Sequence, residues 1–580
     1  MTTRRSANHP FCCALLLAAM LASCRPAVDV GRLPEQPGLN AGFARMPPDV
    51  DSMWVRLLDP PAPEGNALLH VRFSPEERLG RTIIIRPGER MVVLRDDGLR
   101  GDALADDRTY STFVDFPTEQ FAAGQERLER YAAAGGRVPV FTGRELAAHT
   151  RPRFVAREHI RAGSTFVLTV PQGIATTVDP DRSLLIRNSQ VLTDPQRTWD
   201  PCTRTGNTMG AWSFPYLVTQ IANQIATGLP AGLVMERWLA DWAAGGQVNG
   251  WIVAGRTPPA GLTTAMDSAN GWGLSQLPFK LVAIVSRVDL RGNGAYGGGT
   301  GEGRFIFQAV DPAQNCAPLP FTIILEYSLP GLGCNEAQAR AAEWIALSTH
   351  TNFGAGYRTA LAAVTHGFTQ AGARADRPPN RSALNQLRTN ELSPGLLTWF
   401  TMPHWDMREF DVAGAGSSDP GYLLASTVAQ TPGRTVDQAV LAAYMQSLAG
   451  PILNDKYELP LSIQGTPIRG GAAPAQHETF YWNVQPSPVI PGLRHKFSLN
   501  TCNGCHTAET ATRFLHVSSG FANPATPPVS GFLTGIQVTD PETGITRNFN
   551  DLLRRQQDLS ALVNSVCLQQ LHFKVLPSPH

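Results

Sequence analysis

The pentapeptide Cys502-Asn503-Gly504-Cys505-His506 constrains this 580-residue chain more than any other stretch. Two thiols three residues apart share one side of a single helical turn, and the next residue sets an imidazole beside them. The arrangement needs a helix to start just ahead of it, and Asn500 and Thr501 are suitable N-caps. Gly504 keeps the volume between the thiols small. Three chemistries use this spacing. The thiols can hold one cofactor covalently with the imidazole as metal ligand, close a local disulfide, or join His516 and a further residue around zinc.

The N-terminus bears on that choice. Arg4 and Arg5 precede an apolar run, 11–21, of secretory h-region length and shorter than the roughly 20 residues of a membrane span. Leu21-Ala22-Ser23-Cys24 follows and resembles the bacterial lipobox. The resemblance implies a signal peptide over 1–24, cleavage before Cys24, lipidation of Cys24 and stable attachment to a membrane through the lipid. Arg25 occupies the place of an inner-membrane retention signal, which favours the outer membrane or the periplasmic face of the cell envelope. An ordinary cleaved signal with Cys24 incidental is the alternative. No later apolar run is long enough to span a membrane, so the remainder is expected to be soluble in an oxidising space, where zinc thiolates are disfavoured. Cys12, Cys13 and Cys24 belong to the signal and anchor, leaving Cys202, Cys316, Cys334, Cys502, Cys505 and Cys567. They allow three disulfides, or two disulfides and one cofactor site, and the pairing stays open.

In that setting Cys502–His506 resembles the c-type haem attachment motif, C-x-x-C-H. The resemblance implies thioethers from Cys502 and Cys505 to the vinyl groups of one haem c, with His506 as proximal iron ligand. It covers at most 476–580, firmly only the five motif residues. Two features depart from small c-type cytochrome domains. Those begin with an apolar helix ahead of the motif, whereas 486–499 reads as irregular; and they supply a distal Met downstream, whereas the last methionine is Met445. Distal candidates downstream are His516, His572 and His580. On one helix, His516 would lie about 15 Å beyond His506, so the chain has to turn for it to reach the other face of a haem. Arg494, Lys496, Arg513, Arg554 and Arg555 could pair with haem propionates, and 548–562 reads as a closing helix with Leu552, Leu553, Leu559 and Leu562 apolar.

Length predicts two to four domains. Residues 25–50, rich in Pro and Gly, read as a tether. Residues 51–190 read as mostly β, with strands near 53–58, 68–73, 82–86, 91–94 and 109–114 and one helix near 118–134. Arg95–Tyr110 resembles a loop of exported immunoglobulin-like β-sandwich domains, with Asp107-Arg108 where that loop has Asp-Gly. Asp96, Asp97, Asp102 and Asp106 could supply oxygens to calcium, although turn capping by their own backbone explains them as well.

Residues 191–475 read as a large α+β unit. Helices are expected over 214–227, with Leu217, Ile221 and Ile225 in register, and over 233–243, with Val234, Trp238 and Trp242. Strands are expected over 279–290, 304–310 and 321–329. The Gly-rich stretch 292–303 lacks the Gly-Lys-Ser/Thr end of a phosphate loop and reads as a flexible hairpin connection. Asn385, Gln386, Arg388, Asn390, Glu391, His404, Asp406, Arg408 and Glu409 form a polar cluster that could line a catalytic cleft, but no catalytic signature organises them. Phrases such as Arg197–Cys202, Arg304–Phe307 and Arg388–Glu391 resemble a group of exported bacterial lipoproteins with one C-terminal C-x-x-C-H, and that likeness implies no activity.

The expected whole is a multidomain α+β lipoprotein: an N-terminal immunoglobulin-like sandwich, a large α+β centre and a mostly α cytochrome c-like end over 476–580. Its expected role is haem binding and electron transfer with a redox partner protein, not enzymatic turnover. The net charge of +1 gives no sign of nucleic acid as a partner. A cofactor-free, disulfide-stapled surface binding protein and an exported enzyme with its site in the centre are the alternatives.

Overall fold

Alternation of apolar and polar residues, the signature of strands with two different faces, organises the fold. The computed structural model describes residues 50–62, 65–73, 82–85, 92–97, 108–114, 165–168, 178–258, 273–293, 296, 299–331, 334–393, 404–453, 457–475, 480–483, 491–518, 526–541 and 543–563. Cys24, the tether, the helix expected near 118–134, Asp102, Asp106, Cys567, His572 and His580 lie outside them. The chain is α+β, built of helices and antiparallel sheets.

The first sheet joins β1 (Val50–Ala62), β2 (Gly65–Phe73), β3 (Thr82–Ile85), β4 (Val92–Arg95), β5 (Thr109–Val114) and β6 (Thr165–Leu168) in the order β3-β4-β5-β2-β1-β6. Its strands fall where the alternating runs put them. β2 buries Ala67, Leu69 and Val71 on one face and Leu68 on the other. After β4, the Asp96 carboxylate accepts the Arg108 backbone N–H at 2.9 Å, and Asp97 faces Arg95 at 3.6 Å.

The second sheet has seven antiparallel strands: β7 (Leu185–Ile186), β8 (Phe279–Arg287), β9 (Glu302–Asp311), β10 (Ala317–Ser328), β11 (Leu384–Ser393), β12 (His404–Val412) and β13 (Leu423–Ser426), ordered β13-β12-β11-β10-β9-β8-β7. Register aligns Ile186, Ile284, Phe305, Leu325, Leu387 and Phe410 across six of them, all buried. This apolar face is covered by α1 (Phe214–Ala222), α2 (Ala231–Ala244) and a later helix over Ala355–Thr369. Phe214 meets Phe279 and Phe307 at 4.7 and 5.2 Å, Trp238 meets Phe410 edge-on at 5.8 Å, and Phe368 meets Tyr327 at 5.7 Å. Each such side chain contributes about 1.5–3 kcal/mol by leaving water.

The expected stripe on α1 loses its last member. Asn223 takes a left-handed conformation (φ 44°) and ends the helix, so Leu217 and Ile221 are buried while Ile225 stands in solvent. Val234, Trp238 and Trp242 on α2 are all buried. The Gly-rich connection does join antiparallel neighbours, β8 and β9. Its described residues Asn293, Tyr296 and Thr300 are buried rather than exposed. Cys202 is disulfide-bonded to Cys316, just ahead of β10, with Cα atoms 5.8 Å apart.

The polar cluster of 385–409 is not one cleft, because strand residues alternate between faces. Glu391, Asp406 and Arg408 lie on the helix-covered side. There Trp242 Nε1 donates to Glu391 at 2.6 Å, Arg408 pairs with Glu391 at 2.6 Å, and Arg256 pairs with Asp406 at 2.6 Å. Burial raises the Asp406 carboxyl to about 7, with the neighbouring Glu391 adding to the effect. Arg388, Asn390, Met407 and Glu409 belong to the opposite face.

The hydrophobic core runs without a break from the second sheet into the C-terminal segment, including Leu499, Cys505, Val517, Phe532, Leu552 and Leu559. Among the described residues no helix is long and apolar enough to cross a membrane.

Candidate cofactor site

The pentapeptide sits on the sheet's second face. Ahead of it, 491–499 forms α3 (Pro491–Leu499), not the irregular stretch its prolines suggested. Pro491 is the first helical residue, where a missing N–H costs nothing, and Leu493 and Phe497 are buried four residues apart. Thr501 then caps α4 (Cys502–Cys505), its hydroxyl accepting the Gly504 N–H at 3.2 Å. Trp482 Nε1 donates to the same hydroxyl at 2.9 Å, and the Cys502 N–H reaches Thr431 at 3.0 Å. A Cβ on Gly504 would run into the Ser498 carbonyl oxygen, so close approach of α3 requires glycine here.

Past His506 the chain reverses. Ala511 and Phe514 adopt left-handed conformations (φ 51° and 69°), and the Phe514 N–H donates to the His506 carbonyl at 3.1 Å. Reversal brings His516 back beside His506 and Cys505, not to a position facing His506 across a haem. The His506 and His516 rings stand 4.5 Å apart, and His516 Nε2 lies 3.8 Å from Cys505 Sγ. The His506 Nδ1 donates to the Phe514 carbonyl oxygen. His516 Nδ1 is 2.8 Å from the Ser530 hydroxyl. Burial lowers His506 to about 4 and lowers His516 as well, with the adjacent His506 adding to the effect. Near neutral pH His506 is therefore a neutral imidazole whose proton is on Nδ1 and whose lone pair is on Nε2. Cys502 and Cys505 are buried, unbridged thiols, and burial raises Cys502 to about 11. Burial thus disfavours the Cys502 thiolate.

Between this segment and the sheet lies a cavity of about 620 Å³, counted to its open mouth. One wall is the C-terminal segment: His506, Leu515, His516, Val517, Leu533 and Arg555. The other is the sheet, whose strand register sets Leu185, Val285, Arg304 and Glu326 in one row, Ile306, Ile324 and Arg388 in the next, and Thr322, Asn390 and Met407 in a third. Arg287 completes the lining. Four guanidinium groups thus reach the cavity, each already paired with a buried carboxylate: Arg287 with Asp289 at 2.9 Å, Arg304 with Glu302 at 2.7 Å, Arg388 with Glu326 and Glu409, and Arg555 with Asp551 at 2.5 Å. Arg304 and Arg388 hold Glu326 at 3.2 and 3.3 Å, and Arg388 also pairs with Glu409 at 2.6 Å. Burial raises Glu302 and Glu409 to about 7, against the pull of Arg304 and Arg388 respectively.

The sequence pointed to other cationic residues. Arg494 is held by Glu509 at 2.8 Å and Asp540 at 2.7 Å, and Arg554 by Asp289 at 2.8 Å and Asp551 at 2.7 Å. Arg513 is exposed. Of that set Arg555 alone lines the cavity, carried on α5 (Asp551–Val563), whose neighbours include the helix over Cys334–Ala346 and the short helix over Gly531–Thr534. Arg287 and Arg304 escaped sequence reasoning as site residues, and Arg388 was singled out only as part of the central polar cluster, because all three lie more than a hundred residues upstream of the motif. Their signal was charge at alternate positions of otherwise apolar strands, as in Glu302-x-Arg304.

The lining holds two kinds of group that haem c would use, guanidiniums and an imidazole, while Cys502 and Cys505 are not among the lining residues. A planar apolar ring with two carboxylates matches an apolar slot bordered by guanidiniums, and a neutral imidazole with its Nδ1 proton bound to a carbonyl is the usual arrangement of a metal-ligating histidine. Thr322 Oγ1 and Asn390 Oδ1 are buried at the sheet wall without a hydrogen-bond partner. No group of three or more His, Cys, Asp or Glu side chains placed to hold a metal ion occurs among the described residues. No family model matches this chain, and no curated protein or solved structure matches it either.

Proposed function

We propose that this protein is a lipid-anchored envelope protein that carries one covalent haem c between its C-terminal segment and its central sheet, and passes electrons to a redox partner protein. The anchor is Cys24, on the outer membrane or the periplasmic face. Cys502 and Cys505 would hold the cofactor through thioethers to its vinyl groups, and His506 would ligate its iron. Haem supplies a one-electron couple whose potential follows its axial ligands and surroundings. The residues do the rest. The Phe514 carbonyl orients His506 and fixes its tautomer. Arg304, Arg388 and Arg555 offer counter-charges to propionates, and Ile306, Ile324, Leu515 and Val517 exclude water from the ring's faces. The six-stranded N-terminal sheet is one layer of an immunoglobulin-like domain on this reading, consistent with β2 burying both faces. Any calcium at Asp96, Asp97, Asp102 and Asp106 would belong to that domain.

One observation carries the proposal: a buried, neutral His506 with its Nδ1 proton engaged, facing a cavity walled by guanidinium and apolar side chains. The test is a pyridine haemochrome spectrum of the full chain made alongside periplasmic haem-attachment machinery. A c-type α-band that survives acid–acetone extraction, and is lost in Cys502→Ala/Cys505→Ala, supports it. A colourless protein overturns it.

A further inference from the structure

We propose that α5 and the short helix over Gly531–Thr534 form a lid, which lifts to uncover the Cys505 side of the motif and makes Cys505 the first thiol to react. This rests on the haem reading above. In the packing described, the enclosed interior of the cavity, counted as space open to the centre of a water molecule, is about 60 Å³, room for about four waters. A porphyrin is far larger. Cys502 and Cys505 are 0% exposed, and neither reaches the cavity. Attachment therefore needs a second arrangement of this region. His516 stands between Cys505 and the cavity: its Nε2 is 3.8 Å from Cys505 Sγ, and it forms part of the cavity wall. The short helix holds that ring in place. The hydroxyl of Ser530, the helix N-cap, is 2.8 Å from His516 Nδ1, and Phe532 packs on the ring at 5.1 Å. Leu533 of the same helix and Arg555 of α5 also line the cavity.

The rim of the lid is fastened by charge. Asp558 pairs with Arg291 at 2.5 Å and Arg554 with Asp289 at 2.8 Å, which ties α5 to the turn after β8. Asp540, ahead of α5, pairs with Arg494 of α3 at 2.7 Å. Gln556 Nε2 donates to the Val178 carbonyl at 2.7 Å, and Gln338 Nε2 to the Leu562 carbonyl at 3.0 Å. Buried ion pairs are exacting in geometry yet add little net stability, because their desolvation offsets their attraction. Such a rim closes in one register and can still part. Beneath it Leu552, Leu559 and Leu562 join the core, so the closed arrangement dominates. The motif is supported elsewhere. Cys502 lies in one apolar cluster with Met407, Val428 and Ala473, and α3 places Leu493 and Phe497 in another with Tyr457 and Leu441. The lid can therefore lift while Cys502 stays packed on the sheet, which is why Cys505 is uncovered first.

The experiment follows iodoacetamide labelling and amide hydrogen exchange by mass spectrometry, on the full-length chain made without haem-attachment machinery and held at low urea concentrations. Cys505 should label ahead of Cys502, at a rate independent of urea and about 10–100-fold below that of the unfolded chain, while α5 amides exchange and those of β9 and β10 stay protected. Asp558→Asn cuts the rim at one point and keeps the volume. It should speed Cys505 labelling about tenfold and leave exchange in β9 and β10 unchanged. Gln556→Ala, a milder cut at the same edge, should act in the same direction if Asp558→Asn does not fold. Cys505 labelling that rises with urea in step with β9 exchange, that proceeds while α5 stays protected, or that trails Cys502 overturns the lid and leaves the haemochrome result untouched. A colourless protein made with the attachment machinery overturns the haem reading and, with it, the lid's purpose.

Discussion

Replacing Arg388 tests whether the charged face of the sheet is held together as the distances indicate. Its guanidinium is 3.3 Å from Glu326 and 2.6 Å from Glu409, and all three side chains are at most 3% exposed. Arg388→Met keeps the length and removes the charge. Breaking a buried pair by deleting one partner costs about 3–5 kcal/mol, because the other charge is left uncompensated. Here the cost depends on pH. Burial already raises Glu409 from 4.5 to about 7, with Arg388 the chief influence pulling it down, so the variant raises it further. A carboxyl with a raised folded-state pKa binds more protons folded than unfolded, so stability is present below the unfolded value and is lost as pH rises through the folded one. In the variant that loss extends to higher pH. Urea unfolding of wild type and variant should therefore differ by about 3–5 kcal/mol near pH 9 and by roughly 2 kcal/mol less near pH 5. Arg388→Met/Glu409→Gln should recover much of the alkaline deficit. A difference below about 1 kcal/mol, or one equal at both pH values, would refute the pairing.

Gly504→Ala should lower stability by about 1–3 kcal/mol, since its Cβ meets the Ser498 carbonyl; an unchanged melting temperature in differential scanning calorimetry would count against that contact. Cys202→Ser opens a disulfide spanning 114 residues, and should shift the guanidinium midpoint by an amount equivalent to as much as about 4.7 kcal/mol. Alkylation mass spectrometry of the native protein showing both Cys202 and Cys316 reduced would remove the basis for it. Trp242→Phe withdraws the indole N–H from the buried Glu391 carboxylate and should cost about 1–3 kcal/mol in urea unfolding, more than the isosteric loss of ring area explains.

The sequence alone determined the elements with strong local signals. β8 to β10 follow from alternating apolar runs, Val234, Trp238 and Trp242 from helical spacing, and the capped turn at Thr501 from its hydroxyl ahead of Cys502. These depend on neighbours a few residues away, and side-chain periodicity records such neighbours. Local chemistry also misled. The prolines before α3 hid a helix because one of them occupies the first turn, and Asn223 ended α1 before Ile225 by adopting a backbone conformation that periodicity does not register. Tertiary structure decided the rest: that Arg388 and Arg408, two residues of apparently one polar cluster, serve opposite faces of the sheet; that Cys202 bonds Cys316; and that the wall facing His506 is built from Arg304, Ile324 and Met407. Such contacts join residues a hundred or more positions apart through strand register and sheet order, which no short window of sequence encodes.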